Sequence, residues 1–127
     1  MNNKVVLFAN GEIPQTSLVE DKLIMESYVI GIDKGYEIAL NLGIKPNAII
    51  GDLDSVDKEI LDNKVKIIEN KNQDDNDLEK SLIYCKENYF KDITIYSCTG
   101  KKDDQNLANL LLCYDHSTDL NIRIISN

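Results

Sequence analysis

The chain has 127 residues, 43% of them hydrophobic, which suffices for one domain with a buried core. Its formal net charge is −8 and Arg123 is the sole arginine, which argues against nucleic acid as a partner, because that affinity rests on Lys and Arg neutralising phosphates. No stretch approaches the roughly 20 apolar residues of a membrane span, the N-terminus lacks a signal-peptide pattern, and Cys85, Cys98 and Cys113 show no CxxC spacing, so a cytoplasmic protein with buried free thiols is expected.

Residues 4–9 form a near-continuous apolar run, as in a strand buried on both faces, and Asn10-Gly11 ends it with turn chemistry. Residues 18–25 predict a short helix. Residues 28–32 predict a second strand, ending at Asp33-Lys34-Gly35. A helix is expected over 36–42, with Gly43 as its stop. Pro46-Asn47 leads into a third strand, Ala48-Ile49-Ile50, which breaks off at Gly51. A short helix over 56–61 and an alternating strand over 65–68 follow. Residues 70–77 are a polar run. Leu78, Leu82, Cys85 and Tyr89 then recur at helical spacing, and Asn76 with Glu79 fits a capping box. Residues 93–96 predict a strand and 99–105 a polar loop. Residues 107–113 predict an apolar helix packed between the sheet and a neighbour, before a last strand over 122–125. Strand and helix thus alternate roughly five times and close on a sixth strand. That order predicts an α/β fold, Rossmann-like and doubly wound, with a mostly parallel sheet and helices on both faces.

The central stretch is Gly51-Asp52-Leu53-Asp54-Ser55. It follows a buried strand, and in open parallel sheets ligands bind at the carboxyl edge. Two carboxylates a few Å apart repel by about 4 kcal/mol at an effective dielectric of 20, and a hard cation relieves that repulsion. The stretch therefore reads as half of a magnesium site, or as a solvated turn with Ser55 near a helix N-cap. Polar loops at Asn10-Gly11, Asp33-Lys34-Gly35, 51–55, 72–77 and 100–105 all follow expected strands. In a parallel sheet they share one rim, and acids gathered there suit metal-assisted phosphate chemistry. His116 is the only histidine, so no histidine-based cluster or triad can form. Neither GxxxxGK[ST] nor GxGxxG occurs, so a nucleotide would be held by something other than a standard P-loop.

In this order the motifs resemble those of the thiamin pyrophosphokinases (thiamine diphosphokinases). Gly51 to Ser55 is similar to that family's Gly-Asp-(aromatic or Leu)-Asp-Ser element. Gln73-Asp74-Asp75-Asn76-Asp77-Leu78-Glu79-Lys80 resembles its Gln-Asp-x-Thr-Asp-Leu-Glu-Lys element, and residues 100–109 its Gly-Gly-Arg-x-Asp-His-x-Leu-Ala-Asn element. Asp33-Lys34-Gly35 resembles its Asp-Gly-Gly turn. The resemblance implies magnesium-dependent transfer of pyrophosphate from ATP to thiamine, giving thiamine diphosphate and AMP. It implies catalytic Asp52, Asp54, Asp74, Asp77 and Asp104, the first four also holding Mg²⁺. It places Asn10, Gly11, Asp33, Gly35, Ser55, Gln73, Asn76, Lys102 and Gln105 around the co-substrate.

There are departures. Asn76 stands for Thr, Lys34 for Gly, Lys102 for Arg and Gln105 for His. Replacing arginine by lysine loses bidentate phosphate geometry while keeping charge. The resemblance also implies that residues 1–127 are a single nucleotide-binding catalytic domain, that the β-rich domain following it in family members is absent from this chain, and that the complete enzyme is a homodimer. Two other readings stay open on the residues alone. One is a magnesium-dependent phosphohydrolase with Asp52 as nucleophile. The other is a nucleotide- or metal-binding module without turnover.

Overall fold

A computed structural model describes residues 3–51, 64–69, 76–100 and 103–127. The expected helix over 56–61 lies outside them. Strands β1 (Lys4–Phe8), β2 (Tyr28–Ile32), β3 (Ala48–Gly51), β4 (Lys66–Glu69), β5 (Asp92–Tyr96) and β6 (Asn121–Ile125) form one sheet in the order β4-β3-β2-β1-β5-β6. Every neighbouring pair is parallel. Helices α1 (Asp21–Met25), α2 (Gly35–Asn41), α3 (Asp77–Glu87) and α4 (Asp103–His116) lie between strands, and a 3-10 turn at Thr16–Leu18 precedes α1.

Alternation along β1 explains the two layers. Val5 and Leu7 pack into one core with Leu78, Leu82 and Cys85 of α3 and Cys113 of α4. Val6 and Phe8 face the other side, against Leu23 and Ile24 of α1 and Ile38, Ala39 and Leu42 near α2. A central parallel strand has no solvent face, so the sequence of β1 shows no polar alternation. Tyr96 ties β1 and β5 to the β1–α1 connection. Its ring stacks on Phe8 at 5.2 Å, while its hydroxyl accepts from Glu20 N and donates to Leu18 O.

Local signals act as expected at several ends. Asn76 caps α3, its Oδ1 accepting from Glu79 N at 2.7 Å. Gly43 follows α2 at φ 81, a backbone that costs glycine little. Lys34 sits at φ −67, so this turn does not need the glycine it replaces. The region read as one helix over 18–25 is instead the 3-10 turn followed by the five residues of α1. Helix α4 also differs from expectation. It starts at Asp103 and packs on the core through Leu112 and Cys113, with Leu107, Leu110, Leu111 and Tyr114 exposed on the single chain. Its apolar residues are too many for one contact face, and the core meets only one side of the helix. Among the described residues no helix is long and apolar enough to cross a membrane.

The first turn of α2 presses on β1. A Cβ on Gly35 would overlap the Phe8 carbonyl and lie 2.8 Å from Ala9 O. Gly35→Ala is therefore expected to cost about 3 kcal/mol, read as a lowered urea midpoint at unchanged m-value. Gly43→Ala, with no atom within 4 Å of the new Cβ, should cost only the left-handed backbone, about 1 kcal/mol.

Candidate active site

The sheet order reverses between β1 and β5. Connections from β1 lead successively to β2, β3 and β4 on one side, whereas β5 and β6 lie on the other. Divergent connections leave a crevice at the carboxyl ends of the strands, the usual ligand position in such sheets. A cavity of about 350 Å³ occupies that crevice, within the size range of small-molecule sites.

Its walls come from strand ends that are remote in sequence. The β1 end gives Asn10 and Gly11, the β2 end Asp33, the start of α3 Asn76 and Asp77, and the start of α4 Gln105. All six were expected site residues. Asp33 adopts φ 55, a left-handed conformation that Asp tolerates better than most residues, and its N–H donates to Ile50 O at 2.8 Å. That bond draws the ends of β2 and β3 together. At the end of β3, Gly51 has φ 140, and a Cβ there would lie 3.3 Å from Asp77 Oδ2 and 3.4 Å from Asp33 N. The last described residue before Asp52 thus abuts the Asp77 carboxylate.

The β1 and β5 loops are laced together. Ala9 N donates to Tyr96 O, Gly11 N to Ser97 O at 2.5 Å, and Glu12 N to Thr99 O at 2.9 Å. No side chain fits at Gly11, where a Cβ would run into the Ser97 carbonyl and come within 2.5 Å of that of Thr99. From α4, Asn109 Nδ2 donates to Cys98 O at 2.7 Å, and Asn106 Oδ1 accepts from Gly100 N at 3.0 Å. Gln105 Nε2 donates to Asn109 Oδ1 at 3.0 Å. Sequence reasoning gave no role to Ser97, Cys98, Asn106 or Asn109, although all four line the cavity. The spacing of Asn106 and Asn109, one helical turn apart just after the polar loop, was the available signal.

Other expected positions fall differently. Gly35 is buried in packing against β1 and does not line the cavity. Asp104 is the second residue of α4. Asp52, Asp54, Ser55, Gln73, Asp74 and Lys102 lie outside the described residues. Among the described residues no group of three or more His, Cys, Asp or Glu side chains is arranged to hold a metal. The residues that are described do suit one in kind. Asp33 and Asp77 bring hard carboxylate oxygens to one cavity, and Gly51, at the end of β3, lies close to the Asp77 carboxylate.

The model of the thiamin pyrophosphokinase catalytic domain matches residues 20–125. The chain belongs to the thiamin pyrophosphokinase family. Solved structures agree in fold. A thiamine pyrophosphokinase from Bacillus subtilis superposes with a TM-score of 0.76 at 26% identity, over 96% of this chain and 60% of that one. A thiamin pyrophosphokinase family protein from Enterococcus faecalis gives 0.78 at 25% identity, over 96% and 61%. A probable thiamine pyrophosphokinase from Staphylococcus saprophyticus gives 0.70 at 28% identity, over 97% and 64%. The chain therefore spans about 60% of the length of the thiamin pyrophosphokinase structures it matches. Comparison with curated proteins finds no match.

Burial raises the thiols. It pushes Cys98 up to about 12, helped by the neighbouring Cys113 thiol, Cys85 up to about 12 and Cys113 up to about 11. Burial, with the Tyr84 hydroxyl alongside, lifts Tyr28 to about 12. Each group keeps its proton in the folded chain after the unfolded chain has lost it. Their contribution is therefore intact below about pH 9 and is lost as pH rises toward 12. Urea unfolding at pH 8 and pH 10.5 should show a clear drop in midpoint at the higher pH, with Cys85→Ser or Cys98→Ser reducing its size.

Proposed function

We propose that this chain is the nucleotide-binding part of a thiamine pyrophosphokinase. The reaction is pyrophosphoryl transfer. The hydroxyl oxygen of thiamine forms a bond to the β-phosphorus of ATP, the bond from that phosphorus to the α,β-bridging oxygen breaks, AMP departs and the hydroxyl proton is released. The observation that carries this reading is the family match over residues 20–125, joined to a cavity of suitable size at the point where the sheet order reverses.

Roles follow from position and chemistry. Asn10, Gly11, Asp33, Asn76 and Gln105 contact the nucleotide, joined by Ser55, Gln73 and Lys102. Gly35 serves this site by letting α2 close on β1. Asp52, Asp54, Asp74 and Asp77 hold Mg²⁺, and Asp104 orients the reacting groups. Magnesium, when bound, neutralises charge on the phosphates, which matters for a chain of net charge −8. Positioning and charge neutralisation are most of what phosphoryl chemistry asks of a protein.

Matched structures are longer than this chain, and we place the rest of the thiamine pocket outside these 127 residues, in the β-rich domain of a homodimeric enzyme. The ring system of thiamine needs an apolar, partly aromatic enclosure. We assign the reaction to the cytoplasm, in keeping with three free cysteines.

Chromatography of nucleotides and thiamine phosphates, after incubation with ATP, Mg²⁺ and thiamine, tests the reaction type. AMP and thiamine diphosphate are expected, formed slowly by this chain alone. ADP with thiamine monophosphate would contradict the pyrophosphoryl assignment, and phosphate released without thiamine would favour a hydrolase. Asp77→Asn should weaken ATP binding in Mg²⁺ roughly tenfold by calorimetry and leave ATP binding in EDTA nearly unchanged.

A further inference from the structure

Ser97 is a serine where backbone geometry favours glycine. Its φ is 64, in the left-handed region that non-glycine residues enter only when the surroundings hold them there. Four consecutive residues are held in this way. Ser97 O accepts from Gly11 N, Cys98 O from Asn109 Nδ2 and Thr99 O from Glu12 N, and Gly100 N donates to Asn106 Oδ1. Strain that is so firmly over-determined tends to mark a functional position.

The side chain adds a second, independent observation. Ser97 is only 4% exposed, and among the described residues its Oγ has no hydrogen-bond partner. Buried hydroxyls are normally satisfied, so an orphaned one calls for a ligand or a water. Ser97 borders two hollows. The one beside residues 125–127 has a volume of about 10 Å³, at the limit for a single water. The other is the 350 Å³ cavity between β1 and β5. Ser97 lines both, and only the larger has room for a ligand.

We infer that Ser97 is a nucleotide-contacting residue, its hydroxyl donating a hydrogen bond to a sugar or phosphate oxygen of the nucleotide in the β1–β5 crevice. This rests on the nucleotide reading above. The backbone at Ser97 is strained, its hydroxyl has no protein partner among the described residues, and ligand binding satisfies the hydroxyl. The contact also distinguishes Ser97 from its neighbours Asn106 and Asn109, each of which bonds the loop backbone through its amide.

The test separates stability from affinity. Ser97→Gly relieves the backbone and deletes the hydroxyl, and Ser97→Ala deletes the hydroxyl alone. Melting temperature without ligand should rise for Ser97→Gly. Calorimetry with ATP and Mg²⁺ should show both variants binding about five- to tenfold more weakly than the unaltered chain. An equal loss with adenosine assigns the contact to a sugar oxygen, and a loss confined to ATP assigns it to a phosphate oxygen. ATP binding within twofold of the unaltered chain in both variants would overturn the inference. So would weaker binding accompanied by a lower melting temperature in both, since that is the pattern of a purely structural residue. An unaltered chain that binds no nucleotide would instead overturn the nucleotide reading on which the inference stands.

Discussion

Strand β1 pairs with β2 on one side and β5 on the other, and everything at the candidate site depends on that double pairing. A strand with two parallel neighbours must be buried on both faces, and Val5, Val6, Leu7 and Phe8 are at most 1% exposed. The chain can leave such a strand only at its ends. Its carboxyl end runs straight into Asn10 and Gly11, so the most rigid element of the fold delivers these residues to the crevice. Because successive strands depart in one direction and β5 returns on the other, the connections diverge at this point of the sheet.

Rigidity at that gap comes from backbone contacts rather than from side-chain bulk. Gly11 lets the β1 loop lie against the carbonyls of Ser97 and Thr99, and Gly35 lets α2 lie against the carbonyl of Phe8. Asp33 N bound to Ile50 O closes the corresponding gap between β2 and β3. The carboxylates of Asp33 and Asp77 are therefore presented on backbone that is already fixed, which reduces the ordering cost when a ligand binds. An acidic chain gains nothing from a bare polyanion. In the function proposed above, a cation would stand between them, held by the acids among residues 51–55 and 72–77.

Much of this was legible in the sequence, for a physical reason. Buried parallel strands write themselves as continuous apolar runs, so residues 4–9, 28–32 and 48–50 located β1, β2 and β3 closely. Alternation of strand and helix then required a parallel sheet, and a parallel sheet gathers its loops at one rim. The cap at Asn76 was equally local, since it reaches only three residues. Roles that depend on distant backbone were not legible. Nothing beside Ser97 in the sequence announces φ 64, because Gly11, Glu12, Asn106 and Asn109 impose it from other elements. The contact of Gly35 with the β1 backbone was likewise hidden, because Phe8 and Ala9 are remote from it in sequence. Residues 107–113 suggested a helix packed between the sheet and a neighbour; the core of this chain takes the side bearing Leu112 and Cys113, and Leu107, Leu110, Leu111 and Tyr114 lie outside it.

The central claim is that nucleotide enters the crevice between β1 and β5. A crystal structure of the chain with Mg²⁺ and a non-hydrolysable ATP analogue tests it most directly. The account predicts nucleotide density at the carboxyl ends of these strands, touching the Asn10-Gly11 turn, with the metal on the side of Asp33 and Asp77. Nucleotide seated at the opposite edge of the sheet, beside Lys4, Asp92 and Arg123, would contradict it.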